Sequence, residues 1–364
     1  MLERFLKEEV KGIPPYVPGR SKEDIAREYS LEEDRIIKLA SNENPLGPSP
    51  KAIEEAKKSL EKISIYPDPL ADELREVISD YIGLDKDMVI VGNGSDEIME
   101  LAFKTFLNPG EEVVIPIPTF SLYESLTKIY SGTPVLVPLV EDFQFDCDRI
   151  LENINEKTKL VFICSPNNPT GSVISEKELR KLLNEDVVVV LDEAYVEFAD
   201  RTYVDLTNEH ENLIVLRTFS KVFGLAGMRA GYGVANKEII DYLFRVKPPF
   251  NVNIIAQKAA VGALMDRKYL DDSKTTTKKG REFLFNELSN IKQIKVYPSK
   301  ANFLLIRLLG EKNSTEVTER LFKEGVITRD CRHFKGLNDV FIRVSVGTPG
   351  ENRRFLECFR EAVG

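Results

Sequence analysis

Val187-Val-Val-Val-Leu-Asp-Glu-Ala-Tyr195 decides the fold. An unbroken apolar run suits a strand covered on both faces, whereas a strand with one wet face would alternate apolar and polar residues. The run stops at an acid, Asp192. Similar runs occur at Val113-Val-Ile-Pro116, Leu160-Val-Phe-Ile-Cys164, Leu213-Ile-Val-Leu216 and Ala230-Gly-Tyr-Gly-Val234. Helix signals lie among them. Ser49-Pro50 offers an N-cap followed by proline at the first helical position. Ser175-Glu-Lys-Glu178 reads as a capping box, and Ser95-Asp-Glu-Ile98 opens a segment with Ile98, Leu101, Ala102 and Phe106 on one face. This alternation predicts an α/β fold, its mostly parallel sheet sandwiched by helices.

After about residue 265 the texture changes. A long charged helix is predicted over Asp271 to Asn290. Strand-like Ile294–Tyr297, Ala301–Ile306 and Val340–Val346 follow, with helices after Ser314 and Glu351. A smaller α+β C-terminal domain is expected over 266–364, joined by a helix to a large α/β domain over 41–265. Residues 1–40 form an N-terminal arm.

The chain has 364 residues, 42% apolar and 30% charged, the profile of a globular protein with a large core. Its net charge of −9 and scattered basic residues argue against nucleic-acid binding. Lys278-Lys-Gly-Arg281 reads as a solvated helix face. No apolar run approaches the roughly 20 residues a membrane helix needs. Met1–Val10 mixes charges of both signs and lacks the apolar stretch of a signal peptide, so a cytoplasmic protein is expected. Cys147, Cys164, Cys331 and Cys358 lack metal-type spacing, and Cys164 reads as core. Metal chemistry is not expected.

Chemistry concentrates in Leu216-Arg-Thr-Phe-Ser-Lys-Val-Phe-Gly-Leu-Ala-Gly-Met-Arg-Ala-Gly-Tyr232. Lys221 lies near two hydroxyls, Thr218 and Ser220, with Arg229 downstream. A lysine amine acts as a covalent nucleophile on carbonyl compounds when its surroundings keep it unprotonated. Hydroxyls and a guanidinium beside it suggest that the carbonyl compound carries a phosphate. Pyridoxal 5'-phosphate meets both requirements, and it needs an acid at its ring nitrogen. Asp192 has two readings: a cap for the following turn, or that ring-nitrogen partner. Tyr195 could donate to the ring oxygen. Ser165-Pro-Asn-Asn-Pro-Thr-Gly171 is explicable as a turn, yet Asn168 is also a candidate for the same oxygen. Val91-Gly-Asn-Gly-Ser-Asp-Glu97 runs into a helix, where the backbone amides of Gly94, Ser95 and Asp96 could hold phosphate. Phe120 is either core or a ring stacked on a flat ligand. Arg329 and Arg343, in strand-like runs, suit separate anionic groups.

Taken together, the chain resembles the pyridoxal-phosphate aminotransferases of fold type I. Ser41-Asn-Glu-Asn-Pro45, Tyr66-Pro-Asp68, Ser165–Gly171, Asp192-Glu-Ala-Tyr-Val-Glu-Phe198 and Thr218-Phe-Ser-Lys221 carry the resemblance, which runs from Pro15 to Thr348. In detail it is most similar to the histidinol-phosphate aminotransferases. The resemblance implies that Lys221 binds the cofactor carbonyl and later shuttles a proton. Asp192 would pair with the ring nitrogen, Asn168 and Tyr195 with the ring oxygen, and Phe120, tyrosine in many relatives, would stack. Gly94, Ser95, Asp96, Thr218, Ser220 and Arg229 would surround the phosphate. Arg343 would take the substrate α-carboxylate, Tyr16, Arg329 and Tyr66 the substrate's phosphate end, and Asn42 would lie nearby. Tyr66 would come from a second subunit, so a homodimer is implied. The expected reaction exchanges an amino group between histidinol phosphate and 2-oxoglutarate. Aromatic transamination and threonine-phosphate decarboxylation are the alternatives on this scaffold.

Overall fold

A computed structural model of the chain describes residues 2–13, 15 and 19–364. Tyr16 therefore lies outside the described residues. The strands, in chain order, are β1 (Ile37–Lys38), β2 (Val89–Gly92), β3 (Glu112–Ile117), β4 (Thr133–Pro138), β5 (Thr158–Cys164), β6 (Val188–Asp192) and β7 (Leu213–Thr218). They continue with β8 (Gly231–Ala235), β9 (Ile294–Val296), β10 (Phe303–Leu308), β11 (Val326–Ile327), β12 (Arg329–Asp330) and β13 (Phe341–Ser345).

The unbroken apolar runs become the centre of a seven-stranded sheet in the order β2-β8-β7-β6-β5-β3-β4. All its strands are parallel except β8, which runs against both neighbours. Alternate residues enter different cores. Val189, Leu191, Val215 and Ile163 face one cluster, and Val190, Ile214, Leu216 and Phe162 face the other. Burial on both sides is the reason these segments do not alternate; each such side chain contributes roughly 1.5–3 kcal/mol.

Two strands of this sheet were not legible in the sequence, and both are its edges. β4 contains Pro134 and Pro138, which interrupt a strand pattern but are tolerated where no further partner is bonded. β2 is short and ends in glycine.

Beyond the helix Ile254–Met265, Asp266 caps the 23-residue helix Arg267–Ser289. This helix starts earlier than its charge pattern predicts, because Asp266 accepts the Tyr269 amide at 3.3 Å. A four-stranded antiparallel sheet follows, β12-β13-β10-β9, against which Leu284, Leu288, Phe355 and Phe359 pack. Ile37 and Leu39 join that cluster, and β1 pairs in parallel with β11. The basic run Lys278–Arg281 is only partly a solvated face. Arg281 turns inward and donates to the carbonyls of Ala301 (2.8 Å) and Phe198 (3.3 Å), since helical spacing points one residue of such a run at the core.

Candidate active site

One edge of the large sheet gathers the chemistry. At the carboxyl ends of β2, β3, β5, β6 and β7 stand Gly92, the segment to Phe120, the segment to Asn168, Asp192 and Thr218. Register sets their neighbours: Asp192 lies beside Cys164 on one side and Leu216 on the other. The reversed strand β8 starts at this same edge, so Gly231 sits between Gly92 and Thr218, just after Arg229.

The glycines make room for a helix end. A Cβ on Gly231 would lie 2.4 Å from the Ser95 nitrogen, so only glycine lets the helix Ser95–Phe106 begin against the sheet. Gly94, at φ +82°, would place a Cβ 2.8 Å from Arg229 Nη2. Its own amide donates to the Gly92 carbonyl at 2.8 Å. The tight turn thus engages the Gly94 amide, while the next two amides follow it into the helix. Ser95 and Asp96 open the helix, where geometry leaves the first-turn amides without intrahelical acceptors. Arg229 pairs with the Asp96 carboxylate at 3.2 Å, both side chains nearly half exposed. Exposed pairs of this kind contribute about 0–1 kcal/mol, so a phosphate can compete for the guanidinium. The Thr218 hydroxyl accepts the Ser220 amide at 3.1 Å, and both side chains are buried.

Lys221 projects into the same space. Its Nζ donates to the Ser41 carbonyl at 3.3 Å and lies 5.5 Å from the centre of the Tyr195 ring. Burial, with repulsion from Arg343, pushes the amine down to about 8. The folded chain therefore binds fewer protons than the unfolded chain between about 8 and the ordinary 10.5, and stability rises with pH across that window. Below it the buried charge is a standing cost. Lys221→Met is expected to stabilise the ligand-free protein at neutral pH by on the order of 2 kcal/mol, a gain that fades as pH climbs past that window. Urea unfolding at neutral and strongly alkaline pH measures it. An equal gain at both values would contradict the assignment.

Asp192 is buried at the end of β6, and burial pushes its carboxyl up to about 6 against two opposing hydrogen bonds. Oδ1 accepts the Ala194 amide at 3.0 Å, and Oδ2 accepts the Tyr123 hydroxyl at 2.6 Å. Phe120, half-buried, stands edge-on to Tyr123 with ring centres 5.7 Å apart. The Tyr195 hydroxyl accepts from Asn42 Nδ2 at 3.0 Å. Asn42 itself, at φ +54°, is locked by Ser345 Oγ, which receives its backbone amide at 2.9 Å, and by Asn302 Nδ2, which donates to its carbonyl at 3.0 Å.

Arg343 is buried on β13. Its Nη1 donates to Asn168 Oδ1, and its Nη2 donates to the Ala40 carbonyl at 2.6 Å. These bonds orient the guanidinium fork and leave the Asn168 amide nitrogen as the donor on that side chain. Arg329, half-buried, is the direct register partner of Arg343 across β12 and β13. Opposite residues of an antiparallel pair share a face, so both side chains leave the sheet on the same side.

Tyr66 stands apart from this gathering. It is 78% exposed, with its ring stacked on Phe250 at 4.5 Å. Leu60, Ile63, Ile65 and Leu70 around it in sequence are also exposed. Sequence reasoning missed Tyr123, Ser345, Asn302 and the Ser41 carbonyl. Tyr123, three residues after Phe120, carried the only usable signal: an aromatic hydroxyl close behind a candidate stacking ring.

The family model for class I and II aminotransferases matches residues 34–359. The chain belongs to the class I and II aminotransferases. Among relatives of this aminotransferase chain is the histidinol-phosphate aminotransferase of Methanocaldococcus jannaschii, 47% identical over 100% of this chain and 99% of that one. A similar solved structure is the histidinol-phosphate aminotransferase from Clostridium acetobutylicum. It has a TM-score of 0.84 and 30% identity, covering 90% of this chain and 99% of that chain. Another, at 22% identity and thus informative for the fold, is histidinol-phosphate aminotransferase from Sinorhizobium meliloti in complex with pyridoxal-5'-phosphate. Its TM-score is 0.87, covering 98% and 97% of the two chains.

Proposed function

We propose that this aminotransferase uses pyridoxal 5'-phosphate to convert histidinol phosphate and 2-oxoglutarate into imidazole acetol phosphate and glutamate, a step of histidine biosynthesis. One juxtaposition carries the reading: the amine of half-buried Lys221 and the buried Asp192 carboxylate converge on one sheet edge, with the guanidiniums of Arg229 and Arg343 near the amine. The choice of substrate follows the full-length similarity to the M. jannaschii enzyme.

The residues fit the cofactor. Gly94 keeps clear the space beside Arg229 that a Cβ would fill. The Ser95 and Asp96 amides, the Thr218 and Ser220 hydroxyls and Arg229 form a donor set for a phosphate. Asp192 suits a protonated ring nitrogen, Asn168 and Tyr195 suit the ring oxygen, and Phe120 offers an aromatic face. When bound, pyridoxal phosphate supplies a carbonyl that condenses with amines and a ring that draws electrons from the substrate α-carbon.

The chain's own residues do the rest. Lys221 Nζ, unprotonated in a useful fraction near neutral pH, accepts the α-proton and returns it. Asp192 sustains the positive charge at the ring nitrogen. Arg343 holds the carboxylate of glutamate or 2-oxoglutarate. Arg329, with Tyr66 from a neighbouring subunit and Tyr16, holds the phosphate end of histidinol phosphate. The exposed apolar stretch around Tyr66 supports a homodimer with shared clefts. Among the described residues no helix is long and apolar enough to cross a membrane.

Half-reaction spectra test this reading. Histidinol phosphate alone is expected to convert the bound aldehyde form to the amine form, and 2-oxoglutarate to restore it. Initial rates at varied substrate pairs should give parallel double-reciprocal lines. A response to phenylalanine but not to histidinol phosphate would favour an aromatic transaminase. Release of carbon dioxide from threonine phosphate would favour a decarboxylase.

A further inference from the structure

We propose that Tyr123 is a positioning residue, holding Asp192 ionised and fixing the direction in which its carboxylate meets the cofactor ring nitrogen. The inference rests on the assignment of Asp192 to that nitrogen. Three observations lead to it.

First, the carboxylate is gripped from two directions. Tyr123 donates to Oδ2 at 2.6 Å from the helix Leu122–Ile129, and the Ala194 amide donates to Oδ1 at 3.0 Å from its own loop. One donor per oxygen prevents rotation about the terminal torsion and leaves further lone pairs of an ionised carboxylate for another donor. Second, Tyr123 is itself immobile. It is fully buried and stacked on Phe162 at 4.9 Å with an interplanar angle of 22°. Its carbonyl accepts the Thr127 hydroxyl at 2.7 Å. Third, the same ring touches Phe120 edge-on, so the flat-ligand wall and the carboxylate are set by one side chain.

The charge balance around Asp192 explains why a donor is needed. Facing it are Tyr123, Cys164 at the end of β5, Asp96 from the helix Ser95–Phe106, Tyr195 from its own loop, and Lys221. Burial raises the Tyr123 phenol and the Cys164 thiol well above their ordinary values, so both stay protonated and the phenol remains a donor at all working pH. Asp96 opposes ionisation and Lys221 favours it. Because Asp192 titrates at about 6 in the folded chain, above its ordinary 3.8, the folded state binds more protons between these values and loses stability as pH rises through them. Removing the Tyr123 hydroxyl enlarges this loss.

Tyr123→Phe keeps the ring and deletes the donor. Hydrogen bonds to charged groups contribute about 1.5–3 kcal/mol, so the unfolding constant of the ligand-free variant should rise at least roughly ten-fold relative to wild type near pH 8. That difference should largely vanish near pH 4, where Asp192 is protonated. With pyridoxal phosphate bound, the pH midpoint of the visible spectrum should shift by about one unit. Turnover should fall while KM for histidinol phosphate stays within about two-fold, since Tyr123 contacts no substrate. In an Asp192→Asn background the same substitution should lose its pH dependence.

A merely structural tyrosine gives a different pattern. An equal stability loss at both pH values, with an unmoved spectral midpoint, overturns the proposal. The arms also separate the two readings: a wild-type protein showing no aldehyde absorbance defeats the cofactor assignment, while the ligand-free unfolding data still judge the Tyr123–Asp192 bond. Should Tyr123→Phe not fold, a fluorinated tyrosine placed at position 123 keeps the ring and strengthens the phenol as a donor. The loss of stability between about pH 4 and 8 should then shrink relative to wild type, and an unchanged loss overturns the proposal.

Discussion

Lys221→Ala is expected to lower transamination roughly 10²–10⁴-fold while the protein stays folded, the range found when a positioned acid–base group is removed. The side chain has two tasks that no neighbour can assume. Its Nζ is directed into the site by the Ser41 carbonyl and held near the Tyr195 ring. Asn168 contributes an amide, Tyr195 a phenol and Arg343 a guanidinium, and none is a suitable nucleophilic base. A small soluble amine, entering the cavity left by the truncated side chain, should recover part of the rate. Stopped-flow half-reactions with and without such an amine measure both effects. A loss below about ten-fold would remove Lys221 from the mechanism. The same position is expected to gain stability when made apolar, so activity and stability oppose each other there.

The second large effect is expected at Arg343. Truncating one partner of a buried, hydrogen-bonded charge pair costs about 2–5 kcal/mol. With 1.4 kcal/mol per ten-fold, Arg343→Gln should lower kcat/KM for glutamate and 2-oxoglutarate by roughly 30-fold to a few thousand-fold. Arg343→Lys should recover little, because a point charge cannot keep the fork geometry that Asn168 and Ala40 orient. Arg329→Gln should instead weigh on the histidinol-phosphate half-reaction. Separate half-reaction kinetics for both variants make the comparison. If Arg343→Gln leaves the glutamate half within about five-fold, the carboxylate is held elsewhere.

Much of this site was legible because it sits where continuous strands end. Asp192 follows an unbroken apolar run, and a polar residue there can only be a cap or a ligand-facing group. Lys221 lies between a strand and a glycine-rich reversal, close enough to Thr218 and Ser220 for local sequence to associate them. The edge strands were less visible. β4 has prolines that break the pattern, and only its place at the end of the sheet order makes them harmless. Tyr123 offered only the signal of a phenol close behind Phe120, because helix periodicity reports that it is buried but not what its hydroxyl meets. Its acceptor is 69 residues away.

Local sequence, then, determined which elements form and which of their ends carry chemistry, since burial pattern, capping and turn residues act over a few positions. Tertiary structure decided what those ends face. Register places Arg329 opposite Arg343, brings Asn42 to Tyr195 across 153 residues, and sets Ser345 and Asn302 around Asn42. Such contacts depend on how two sheets and a long helix are held against each other, and on geometry at the scale of a hydrogen bond. Residue order along the chain does not report either.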